Sequence, residues 1–169
     1  MIYLVVFLSV LTIVGAFMWM QPSPRDRRLA KLRSDALMNG FRISSLKVND
    51  TSEYGRVSKI MQIVTIYELP LLMTSQDDPA IFTVQRSDSE SGAYLPDGWV
   101  WEERRNLNEE HYQKLTLLLE GLPSRISIIT LHRDNVGLCW DEVDANVSYQ
   151  ELKDLLISAA TIVGREVLR

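Results

Sequence analysis

The side chains of this chain that could carry chemistry are few. They are His111, His132, Cys139, the adjacent acidic pairs Asp77-Asp78, Glu102-Glu103 and Glu109-Glu110, and the spaced pair Trp99 and Trp101. A histidine general base needs an orienting carboxylate within hydrogen-bond reach. His132 sits beside Arg133 and Asp134 near a predicted hairpin tip and reads as a partly exposed turn residue. His111 falls in the first turn of a predicted helix, where the positive end of the dipole disfavours a proton acceptor, and reads as surface. Two histidines cannot build a three-histidine zinc site. Cys139 alternates with Leu138 and Trp140 and reads as a buried thiol, because reactive cysteines need an electropositive, accessible setting. Neighbours on a strand point to opposite faces, so the acidic pairs read as solvated surface and not as acid/base dyads. The phosphate-loop, zinc-protease, nucleophile-elbow and dinucleotide patterns are absent from the sequence. The expectation is no catalytic residue, no cofactor, no metal and a chain that is not an enzyme. Trp99 and Trp101 share one face of a strand and are the candidate partner-binding residues, since tryptophan is enriched at interface hot spots. The Ser/Asp/Gly loop from Arg86 to Gly98 is the candidate partner-exposed element.

Composition bounds the rest. The chain has 169 residues, 46% hydrophobic and 24% charged, which predicts one globular domain beyond any targeting segment. One cysteine excludes a disulfide scaffold. A net charge of −4 and a pI near 5.2 argue against nucleic acid as a partner.

The elements that must position these residues follow from patterning. Ser23, Pro24 and Asp26 open a helix that carries Leu29, Leu32, Ala36 and Leu37 and stops at Asn39-Gly40. Phe41 to Val48, Val57 to Leu69, Ala80 to Gln85 and a segment starting at Trp99 read as strands. Asn108 caps a helix with an apolar stripe of Tyr112, Leu115, Leu118, Leu119 and Leu122, ended by Gly121 and Pro123. Arg125 to Glu142 reads as a hairpin with Asp134-Asn135 at the turn, pairing Leu131 with Leu138 and Ile129 with Trp140. Ser148 and Glu151 open a final helix. The predicted fold class is α+β, an N-terminal transmembrane helix plus a two-layer cytoplasmic domain with a mostly antiparallel sheet and helices packed on one face.

The transmembrane expectation comes from residues 1–20, which carry no charged side chain and place Tyr3 and Trp19 near the two ends. No basic residue precedes the span and Ala16 to Met20 is a poor cleavage site, which favours a retained anchor over a signal peptide. Between Gln21 and Gly40, Arg25, Arg27, Arg28, Lys31 and Arg33 outweigh Asp26 and Asp35. The positive-inside rule then puts the N-terminus outside and the rest in the cytoplasm, with those five basic residues as candidate membrane-surface contacts. Residues 41–169 carry 20 acidic and 13 basic side chains. The predicted organisation is a span over 1–20, a basic juxtamembrane helix over 21–40 and an α+β domain over 41–169.

The apolar span, Gln21-Pro22, Arg27-Arg28 and Leu32 resemble the start of YajC, the small accessory subunit of the bacterial preprotein translocase. That family's Gly-Asp-Glu-Val stretch is missing, and Phe41-Arg42-Ile43-Ser44 stands in its place. Pro22-Ser23-Pro24-Arg25-Asp26-Arg27-Arg28-Leu29 and Val136-Gly137-Leu138-Cys139-Trp140 resemble uncharacterised single-span proteobacterial membrane proteins, some labelled as YajC-like. The resemblance implies a single-pass protein of the bacterial inner membrane and carries no functional residue. The expected function is a protein-interaction or assembly module with a membrane-protein partner, in its specific version an accessory of protein translocation, with the bilayer met through residues 1–20. A membrane-tethered enzyme and an anionic-lipid surface sensor are the alternatives.

Overall fold

The structure is a computed structural model and describes residues 2–19, 23–51, 60–73, 78–88, 92–143 and 148–168. Among them are four helices, α1 (Ile2–Trp19), α2 (Pro24–Met38), α3 (Glu109–Glu120) and α4 (Tyr149–Ile162). Six strands accompany them, β1 (Arg42–Asn49), β2 (Met61–Pro70), β3 (Ile81–Arg86), β4 (Trp99–Arg105), β5 (Ile126–Leu131) and β6 (Asn135–Trp140). Asp77 of the Asp77-Asp78 pair, Pro22 and the start of the strand expected from Val57 lie outside the described residues. The chain forms two compact units, Met1–Ser34 and Asp35–Arg169.

The first unit corrects the membrane reading. Among the described residues no helix is long and apolar enough to cross a membrane. Helix α1 has 18 residues. It includes Ser9 and Thr12, whose hydroxyls turn back to the carbonyls of Val5 and Leu8 at 2.8 Å each. The lack of such a helix among the described residues, and not the Ser9 and Thr12 bonds, overturns the expected transmembrane helix, the single-pass inner-membrane placement and the N-out, C-in orientation. The apolar side chains from Ile2 to Val14 stand exposed within this chain. Helix α2 begins in a reciprocal cap: the Asp26 amide donates to Ser23 Oγ at 3.1 Å and the Ser23 amide to Asp26 Oδ2 at 3.2 Å. Arg25, Arg27, Arg28, Lys31 and Arg33 all lie on this helix.

The second unit is an α+β fold around one antiparallel sheet in the order β1-β2-β6-β5-β3-β4. The β5–β6 hairpin, latest in sequence, lies at the centre and separates β2 from β3. Register sorts its side chains. Ile126, Ile129, Leu131, Val136, Leu138 and Trp140 share one face with Tyr67, Leu69, Phe82 and Val84. That face is buried, and α3 and α4 pack on each other with α4 against β6. Phe41 joins the layers, its ring 6.3 Å from Tyr67 and 6.1 Å from Tyr149.

The opposite face carries Ile128, Thr130 and Cys139 and is covered by the sheet itself. The β1–β2 hairpin curls over it, so that Val48 and Ile66 pack on Ile128, with Leu46, Val64 and Cys139 around them. Hydrogen bonds fasten the end of the curl to the far strands. Gln85 Nε2 donates to the Asn49 carbonyl at 2.8 Å, Asn49 Nδ2 to the Glu102 carboxylate at 2.8 and 3.0 Å, and the Thr51 hydroxyl to the Arg86 carbonyl at 2.8 Å.

The hairpin turns one residue earlier than expected. Arg133 and Asp134 form its tip, with the His132 amide donating to the Asn135 carbonyl at 2.9 Å. Leu131 pairs with Val136 and Ile129 with Leu138, a two-residue shift that leaves every side chain on its expected face. The neighbouring strand sets the difference, since the Leu71 amide donates to the Asp134 carbonyl and Pro70 lies opposite Asn135.

Gly137 marks the closest approach within the curl. A Cβ there would lie 2.5 Å from Ile66 Cγ2, 3.0 Å from Glu68 Cγ and 3.2 Å from Thr130 Cγ2. Gly137→Ala is expected to lower stability by about 2 kcal/mol through overpacking. Urea denaturation checks this, and an unchanged midpoint would remove Gly137 from the account of the curl.

Candidate functional site

The expected residues disperse. Trp99 is 2% exposed and lies under the Arg86 guanidinium, 4.7 Å from the ring centre. Arg86 is itself fixed, its Nε donating to the Ile126 carbonyl at 2.8 Å and its Nη2 to the carbonyls of Leu122 and Pro123. The pair that shares a strand face thus divides: Trp99 belongs to the core, and Trp101 lies half-buried at its margin. Cys139 packs on the inner cluster, and burial pushes its thiol above the ordinary range. His132 ends a buried chain of hydroxyls, with Thr83 Oγ1 2.9 Å from Thr130 Oγ1 and Thr130 Oγ1 2.9 Å from His132 Nε2. Thr83 and Thr130 are 2% and 1% exposed, so this chain ties β3 to β5 inside the curl and presents no hydroxyl to solvent. Among the described residues no group of three or more His, Cys, Asp or Glu is placed to hold a metal ion.

His111 does chemistry of a structural kind. Asn108 Oδ1 accepts the His111 amide at 2.9 Å, and His111 Nδ1 accepts the Asn108 amide at 3.2 Å. This is a capping box with histidine in the place usually held by glutamate or glutamine. The sequence offered Asn108 as a cap, but the reciprocal role of His111 was missed, because the ordinary signature does not include imidazole.

What the fold does assemble is an aromatic groove beside Trp101. Residues 92–98 are pinned at both ends. The Gly92 amide donates to the Trp99 carbonyl at 2.7 Å, and the Ser87 amide to the Gly98 carbonyl at 2.9 Å. Gly92 is closely packed, since a Cβ there would meet Leu95 Cδ1 at 3.0 Å and Trp101 Cδ1 at 3.1 Å. Trp101 Nε1 donates to the Ala93 carbonyl at 2.8 Å. Tyr94 then takes a left-handed backbone, φ 65°, and its carbonyl accepts the Thr116 hydroxyl at 3.2 Å. Its ring stacks on Tyr112 of α3, centroids 5.0 Å apart and 17° from parallel. Trp101 meets Tyr112 edge-on at 5.9 Å, and the Arg104 guanidinium lies 5.9 Å from the Trp101 ring centre.

Between loop and helix lies a groove of about 480 Å³, bounded by Tyr94 and Leu95 on one side and by Glu109, Tyr112, Gln113, Thr116, Leu117 and Glu120 on the other. Tyr94 is 61% and Leu117 71% exposed. Two signals for it were present in sequence: an aromatic residue within a polar loop, and Leu117 lying off the stripe of its helix. A second cavity, of about 580 Å³, lies by the C-terminal segment among Leu72, Ile157, Thr161, Arg165, Glu166 and Val167. There Arg165 Nη2 is committed to the carbonyls of Leu72 and Arg133, at 2.9 and 2.7 Å, and ties that segment to the end of the hairpin.

The second unit is thus an α+β domain, with a curled antiparallel sheet and an aromatic groove on its helical side. No protein-family model matches the chain, and no curated protein or solved structure matches it.

Burial holds the His111 imidazole below its ordinary pKa, an effect that outweighs the opposing Glu110 charge, while Lys114 acts in the same direction as burial. The neutral ring is the one that can accept from the Asn108 amide. A histidine whose pKa falls on folding contributes stability that is present above about pH 6.5 and is lost as pH drops toward the folded-state value. The melting temperature is therefore expected to fall on acidification below about pH 6.5. In His111→Gln, whose side chain can replace the cap, this part of the fall should be absent, and parallel profiles for the two proteins would contradict it.

Proposed function

We propose that this chain is a protein-interaction module and that its docking surface is the groove between the Tyr94 loop and α3. The single observation that carries this reading is Tyr94. A tyrosine in the left-handed region costs on the order of 1 kcal/mol or more. Here that backbone holds a 61%-exposed ring stacked on Tyr112 at the groove's edge. An exposed aromatic held in a strained backbone adds little to a core, and it suits a partner surface, where rigid tyrosines bury large area at low entropic cost. The exposed Leu117 and the half-buried Trp101 continue the apolar surface, and the edge carboxylates give it a polar rim, the anatomy of an interface.

The test separates binding from folding. Tyr94→Gly removes the ring and relieves the backbone, so its stability should stay within about 1 kcal/mol of the native chain. A photo-crosslinking side chain placed at Leu117 in the native cells should capture a protein that the same group at exposed Ser158 on α4 does not, and Tyr94→Gly should abolish that capture. Equal capture at the two positions would refute the reading.

A further inference from the structure

Resting on that reading of the groove, we infer that its occupant is an extended peptide with two basic side chains about five residues apart and apolar side chains between them. The argument starts from spacing. Glu109, Tyr112, Gln113, Thr116, Leu117 and Glu120 line the helical wall, so the groove runs the length of α3 with a carboxylate at each end. Eleven residues of helix rise about 16.5 Å. An extended or polyproline chain advances about 3.1–3.4 Å per residue, so five residues span the same distance.

Charge points the same way. Glu109 and Glu120 are exposed and form no ion pair among the described residues, whereas their neighbour Glu110 is held by Lys114 at 2.6 Å. Lys114 is thereby engaged, and Arg104 lies over Trp101. The middle of the wall offers the Tyr112 ring, Leu117 and, for a peptide backbone, the Gln113 amide. Tyrosine faces flanked by carboxylates suit proline or leucine side chains flanked by arginine or lysine. Residues 41–169 as a whole carry 20 acidic against 13 basic side chains, which steers a cationic segment toward this unit.

The experiment is fluorescence anisotropy on the full chain with three labelled hexapeptides: RPLPLR, the spacing control RRPLPL and the charge control EPLPLE. RPLPLR should bind tightest and lose affinity with added salt. Glu109→Gln and Glu120→Gln should each weaken it about two- to fivefold, the range of an exposed ion pair. EPLPLE or RRPLPL binding as tightly as RPLPLR, no binding by any of them, or indifference to both glutamine substitutions would overturn the inference. Leu117→Asp separates the two failures. Loss of binding there with indifference to the glutamine variants leaves the groove as the docking surface and removes the charge pattern. Unchanged RPLPLR binding by Leu117→Asp places the peptide elsewhere and takes the groove reading down as well.

Discussion

The structure depends on a central hairpin that is apolar on both faces. Ile126, Ile129, Leu131, Val136, Leu138 and Trp140 need cover on one side, Ile128 and Cys139 on the other. The unit that holds this six-stranded sheet contains two whole helices, α3 and α4, among its described residues, too few for a helical layer on each face. Helices therefore cover one face, and the β1–β2 hairpin bends across the other until Val48 and Ile66 reach Ile128. Gly137 permits the bend at its tightest point, and the bonds from Gln85, Asn49 and Thr51 hold its far end. Burying this apolar surface twice over is the main stabilising term, of the order of 25 cal/mol per Å² of apolar surface removed from water.

The groove follows from the same constraint. With the inner face closed by the curl, the Tyr94 loop and α3 meet on the outer side, at the margin of the sheet. Arg86 secures that margin by bonding three carbonyls around the end of α3 and the start of β5 while covering Trp99. Trp101, two residues on, sits where the layer ends, and its indole bonds the loop that carries Tyr94. The strain at Tyr94 is sustained because the loop is fixed at Gly92 and the Tyr94 carbonyl is held by Thr116. A core tryptophan, a marginal tryptophan and an exposed tyrosine thus form one graded series from interior to surface.

The charge on the two ends of α3 belongs to this picture. Glu109 and Glu110 both stand in the first turn, where carboxylates favour the positive end of the helix. Glu110 finds Lys114 one turn on, and Glu109 faces the groove. The same helix therefore pairs one acidic residue within itself and leaves another lining the groove.

The strands, the helix caps at Ser23, Asn108 and Ser148, and the faces of the β5–β6 hairpin were legible in the sequence, because each rests on local periodicity and capping chemistry. The turn position and exact partners in that hairpin were not, since alternation fixes which face a side chain takes but leaves open a shift of two. Composition suggested a membrane span in the first twenty residues, and among the described residues no helix is long and apolar enough to cross a membrane. Trp99 and Trp101 looked equivalent as a spaced pair. Only the tertiary structure gave one to Arg86 and the core and the other to the Tyr94 loop, because burial depends on which distant segment arrives to cover a strand. By itself the sequence determined the elements and their apolar faces. The curl, the groove and the backbone of Tyr94 were decided by contacts between residues far apart in the chain, which no local pattern encodes.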